Sequence, residues 1–186
     1  MEFSKEQLSL FEKCSAGFIT KDELLKELDM VLTFENVSKL FLDVMKNNDK
    51  EMFSNIFNSL SGMFSFEEDN LFYTKYLLEE NHFLHSDMAS AFQTYFNTKP
   101  ENLSSLLLAL ENIPKYLSED DFKYPYIRKI IYAIGAQPEP YNIQTLEKLS
   151  TDTDDSEIKE LALHQIDKRK KLGRWESINK NQDQTP

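Results

Sequence analysis

The sequence predicts an all-α fold, a right-handed α-solenoid of stacked antiparallel helix pairs with about ten helices, and three observations carry that reading. The composition sets 24 Leu and 11 Ile against 3 Val, with only 4 Gly and 6 Pro in 186 residues. So little valine starves strands, and so little glycine leaves few tight turns. Apolar residues recur at three- and four-residue spacing in segment after segment, and no segment sustains an alternation of period two. Finally, a helix-pair pattern recurs in the C-terminal half, as set out below.

The elements follow in order. Ser4 is placed to cap a helix bearing Leu8 and Phe11. Thr20-Lys21-Asp22-Glu23 has the form of a capping box ahead of Leu24, Leu25 and Leu28. A third segment aligns Phe34, Val37, Leu40, Phe41, Val44 and Met45 on one stripe and stops at Asn47-Asn48. Asp49 then caps a fourth with Met52, Phe53, Ile56, Phe57, Leu60 and Phe64. Helical segments near 66–79 and 83–97 follow. Pro100 is read as a first-turn proline before Leu103, Leu106, Leu107 and Leu110. Pro125 is read as opening the next helix, which stops at Gly135 as a glycine C-cap. The last two helices are expected at about 139–150 and 154–172, the second ending near Gly173. Residues 1–176 are thus expected to form a single helical repeat domain, with 1–65 as diverged N-terminal helices and 66–172 as repeats. A flexible tail, 177–186, would follow, because it is too polar to bury itself.

Charge excludes several function classes. The chain carries 21 basic and 32 acidic side chains, a net charge of −11 with a pI near 4.8. Residues 1–166 account for −14, and only residues 167–186 are basic, at +3. Such a body repels phosphates, so neither nucleic acid nor an anionic membrane is the expected partner. Cys14 alone allows no internal disulfide and no cysteine zinc cluster. With no apolar run of about 18 residues and charges where a signal peptide needs apolar residues, a cytoplasmic location is expected.

The repeat lies in the C-terminal half. Asn102-Leu103-Ser104-Ser105-Leu106 matches Asn142-Ile143-Gln144-Thr145-Leu146 at an offset of 40 residues. Each is followed by an acidic turn and a second helix. Asp120-Asp121 precedes Tyr126-Ile127-Arg128-Lys129, and Asp154-Asp155 precedes Glu157-Ile158-Lys159, at an offset of 31. The first unit therefore carries a longer loop, roughly Pro114 to Tyr124. A helix pair with one apolar face cannot close a core alone, so it stacks on the next pair. The turn carboxylates would cap the second helix, and Arg128 and Lys159 would pair with them or with a neighbouring repeat.

These residues, with Leu77 to Ala89, Phe92-Gln93, Tyr116-Leu117, Ala133-Ile134-Gly135, Ala162 and Gln165-Ile166, resemble a group of small bacterial HEAT-like (HEAT/armadillo) repeat proteins. The resemblance covers about residues 75–168. It departs from the group's pattern at Asn81 and Ser86. Proteins of that group are often immunity proteins of polymorphic toxin systems. The resemblance therefore implies a binding protein that neutralises a cognate toxin stoichiometrically. A nuclease toxin, being basic, would suit the acidic body. Partner-binding residues on this reading are Asp120, Asp121, Asp152, Asp154, Asp155 and Glu157. An adaptor in an endogenous complex is the alternative, and a HEAT-like nucleic-acid enzyme ranks below both.

Little else in the chain points to chemistry. His82, His85 and Asp87 form His-x-x-His-x-Asp, but Asp87 falls off the helical face the two imidazoles would share. The expected roles are a cap for Asp87 and packing for the histidines. Cys14 reads as a buried small side chain rather than a nucleophile served by His164. No phosphate loop, nucleophile elbow or zinc-protease motif occurs, so no catalytic residue, cofactor or metal is assigned. The basic run Lys168-Arg169-Lys170-Lys171 suits a helix C-terminus, where cations oppose the dipole. Trp175 would fold back as a cap on that helix.

Overall fold

The computed structural model describes residues 3–28 and 31–172, and among these the chain forms ten α-helices, one 3-10 turn and no strand. The helices divide between two compact units, the first ending at Leu84 and the second beginning at His85.

The first unit contains α1 (Lys5–Ser15), α2 (Lys21–Leu28), α3 (Phe34–Lys46), α4 (Lys50–Leu60) and α5 (Phe66–Tyr76). Its helix starts follow from local side-chain chemistry. Ser4 with Gln7, Thr20 with Glu23, and Ser65 with Glu68 form reciprocal capping boxes. Thr33 and Asp49 accept from the backbone N–H groups of Asn36 and Met52. Each cap satisfies a donor the helix cannot, and each is worth about 1 kcal/mol. Three of the stops carry a left-handed residue: Gly17 follows α1 and Gly62 follows α4, each at φ 78°, and Asn48 follows α3 at φ 52°.

Aromatic rings fill the core of this unit. Phe41 meets Phe53, Phe72 and Tyr76 at centroid distances of 4.7, 4.6 and 5.2 Å, and Phe72 meets Tyr76 at 4.4 Å. Most of these are edge-on or tilted contacts, the geometry ring quadrupoles favour, worth about 0.5–1.5 kcal/mol each beyond burial. Phe11 brings α1 onto α4, and the Ser59 hydroxyl lies 3.1 Å from the Phe11 carbonyl oxygen.

The second unit contains α6 (His85–Thr94), α7 (Asn102–Glu111), a 3-10 turn (Lys115–Leu117), α8 (Asp120–Ala136), α9 (Tyr141–Asp152) and α10 (Ser156–Leu172). Helix α8 is central: it packs on α6, α7, α9 and α10, and α9 packs on α10. Its buried face is Ile127, Ile130, Ile131 and Ile134. Helices α6, α8 and α10 run in the same direction. At one end of the α6–α8 contact the His85 ring lies 6.4 Å from Tyr126, and at the other Gln137 donates to the carbonyls of Phe92 and Phe96. Along α8 and α10, Tyr124 meets Asp155, Tyr132 faces His164 and Gly135 faces Gln165. Partners across this contact differ by 30 to 32 in number, so the 31-residue sequence offset becomes a physical register between neighbouring helices.

The two asparagines of the 40-residue match also play one part. Asn102 is buried and donates to the Phe96 carbonyl at 2.8 Å, and Asn142 is buried and donates to the Gly135 carbonyl at 3.0 Å. Each sits at the start of its helix and reaches back to the C-terminal end of the preceding one. There it supplies a donor to a carbonyl beyond the helical ladder.

Several local expectations are corrected. Pro100 lies two residues before α7, in the turn whose Pro100 and Lys99 carbonyls receive the first N–H groups of the helix. Helix α8 begins at Asp120, so Pro125 is its sixth residue and the loop before it is shorter than Pro114 to Tyr124. Two effects account for the early start. The Glu119 carbonyl accepts from Phe122 and Lys123, and Asp120 and Asp121 sit at the positive end of the helix dipole. Pro125 is exposed, so water reaches the Asp121 carbonyl it leaves without a helical donor. Gly135 is no C-cap: it is helical and buried, and a Cβ there would come within 2.9 Å of the Gln165 side-chain oxygen. Its glycine permits the close approach of α10. Asp87 is exposed as the third residue of α6, in its first turn rather than at its cap. Gly173, Trp175 and the 177–186 tail lie outside the described residues.

Candidate interaction surface

The acidic residues singled out from sequence fall at the end of the second unit where α8 and α10 begin. Asp120 and Asp121 form the first turn of α8, Asp152 ends α9, Asp154 and Asp155 lie in the α9–α10 turn, and Glu157 is in the first turn of α10. The Tyr124 hydroxyl donates to the Asp155 carboxylate at 3.2 Å, tying the start of α8 to that turn. All six acidic groups therefore belong to one edge. Asp155 is also structural, accepting from the backbone N–H groups of Glu157 and Ile158 at 3.0 and 3.2 Å. Asp120, Asp121 and Asp154 are exposed, and among the described residues none of them forms an ion pair. Phe122, the residue after Asp121, is 54% exposed.

Tyr124 and Phe122 were not anticipated. Reading residues 114–124 as loop hid them, since only a helix beginning at Asp120 puts Tyr124 one turn above the acidic pair. The expected ladder is not formed: Arg128 and Lys159 are exposed and make no ion pair among the described residues. Capping by the turn carboxylates holds for Asp155 alone, because the N-cap of α8 is Glu119, with no side-chain bond.

The histidines are engaged elsewhere. His82 is fully buried in the first unit. Its Nδ1 accepts from the Leu84 N–H at 3.0 Å and its Nε2 donates to the Tyr76 carbonyl at 2.6 Å, which assigns the tautomer. His85 is buried in the second unit, with Nδ1 3.0 Å from the Tyr116 hydroxyl. Burial, aided by the Asp87 charge, pushes that tyrosine up to about 12. Among the described residues no group of three His, Cys, Asp or Glu is placed to hold a metal. Cys14, half-buried, belongs to the first unit and His164 to the second.

The basic run takes up local roles. Lys168 lies 5.3 Å over the Tyr132 ring, Lys171 pairs with Asp167 at 2.6 Å, and half-buried Arg169 is held below its usual range by burial. In the first unit, an open groove of about 340 Å³ lies beside Leu8, Leu40, Val44 and Lys46. A second, aromatic-lined pocket beside Asp69 has room for about one water, so it is too small for a ligand. No helix among the described residues is long and apolar enough to cross a membrane. Comparison with protein families, with curated proteins and with solved structures yields no match.

Proposed function

We propose that this chain is a cytoplasmic protein-binding scaffold of the HEAT-like solenoid kind, an immunity protein that neutralises a cognate basic toxin by stoichiometric binding. The solenoid reading is supported by the common direction of α6, α8 and α10, the 30-to-32-residue register of α8 on α10, and the matched roles of Asn102 and Asn142. Helices stacked in this way offer an extended surface rather than a pocket, which suits a macromolecular partner.

The observation that carries the binding reading is the acidic edge, which exposes Asp120, Asp121 and Asp154 and, next in the chain after Asp121, the exposed ring of Phe122. Carboxylates speed the approach of a basic partner, and an aromatic ring among them supplies contact area that charge alone lacks. The test is charge reversal at positions that cap nothing. A D120K/D121K/D154K variant should keep its helicity apart from a frayed first turn of α8, where two carboxylates leave the positive end of the dipole, and lose at least tenfold in affinity for the toxin, mostly through slower association at low salt. Unchanged binding by that variant would remove the edge from the interface.

A further inference from the structure

We propose that His82 is a pH-sensitive clasp on the last segment of the first unit, residues 77–84, closed by the neutral imidazole and released when the ring takes up a proton. One ring bonds the main chain at both ends of the segment that follows α5. Nε2–H donates to the carbonyl of Tyr76, the last residue of α5, and Nδ1 accepts from the N–H of Leu84, the last residue of the first unit. The ring cannot readily turn away, because its face lies on Phe53 at a centroid distance of 4.6 Å and an interplanar angle of 14°.

Closure depends on the neutral form. A proton arriving from solvent at Nδ1 sets an N–H against the Leu84 N–H, so an acceptor is replaced by a donor and the bond is lost. The charge would also be buried. The charge that acts on the ring is Lys50 from α4, and Tyr76 of α5, whose carbonyl takes the Nε2–H, has its own hydroxyl acted on by Glu79. Lys50 opposes protonation. Together with burial, the larger effect, it holds the imidazole at about 4.

The test follows the His82 ring and the Leu84 amide of the full chain by NMR from pH 7.5 to 3.5, with far-UV circular dichroism alongside. The expected result is a ring titration well below 6 and a loss of Leu84 amide protection at the same midpoint, of about tenfold or more, while helicity persists. Glutamine can both donate and accept without titrating in this range, so H82Q should keep the Leu84 amide protected through that midpoint. H82F, which keeps the stack and loses both bonds, should be cut after Glu79 or Glu80 at pH 7 about tenfold faster than the parent by a glutamate-specific protease. A ring titrating near 6.5, a Leu84 amide indifferent to it, or loss of all helicity at the same midpoint would overturn the clasp.

Discussion

Asn142 and Asn102 occupy matching places, yet their loss should not weigh equally. The Phe96 carbonyl that Asn102 serves also receives a bond from Gln137, whereas Asn142 is the side chain that serves Gly135. An unmet buried carbonyl costs about 1–3 kcal/mol. N142A should therefore lower unfolding free energy by about 2 kcal/mol and N102A by about half as much, measured by urea denaturation. Gln165 poses the opposite case. It is fully buried, and among the described residues neither its Oε1 nor its Nε2 has a hydrogen-bond partner. Q165M keeps the volume and removes the unmet amide, so it should stabilise the protein by about 1 kcal/mol. Gly135 divides two accounts of the same residue. At a left-handed cap, alanine would be strained. In the helix observed, G135A gains about 1 kcal/mol of helix propensity against a contact the Gln165 amide can relieve by rotating, so its stability should stay within about 1 kcal/mol of the parent. G135L has no such relief and should lose about 1–3 kcal/mol.

At the scale of elements, helices whose signals are local were legible and those set by packing were misplaced. Thr20 and Glu23 announce α2 in four residues, and Asp49 announces α4, because a cap and its target lie within one turn. T20A should accordingly cost about 1 kcal/mol in thermal or chemical unfolding, with little effect on the second unit's folding. Helix α8 was harder. Pro125 reads as a first-turn residue, but the helix begins five residues earlier, with its proline carbonyl defect turned to solvent. Its glycine reads as a stop, but it is a contact with α10 that no local pattern encodes. The candidate edge shares this fate. Its carboxylates were visible in the sequence, whereas Tyr124 and Phe122 joined it only once α8 was known to start at Asp120.

For the whole molecule, acid is the expected weakness. His82 is neutral when folded, with its pKa lowered to about 4, so its contribution to stability is full above the ordinary imidazole value near 6.5 and is lost as pH falls toward 4. Glu23, Glu35 and Glu68 are held below the usual carboxylate range by bonds to Thr20, Lys39 and Ser65, and their contributions are also lost on acidification. Both effects have one sign and outnumber the opposite contribution of half-buried Asp69, whose carboxyl burial pushes up, so the melting temperature should be lower at pH 4 than at pH 7. The charge that partners meet is equally a property of the whole: an acidic body of −14 in residues 1–166, from which one edge exposes Asp120, Asp121 and Asp154 with no ion pair among the described residues. The most direct measurement is co-expression with the product of the adjacent gene, followed by purification and mass determination of any complex. The account predicts rescue of growth and a stoichiometric complex with a basic protein, dispersed by the D120K/D121K/D154K substitutions. Absence of both the complex and the rescue would contradict it.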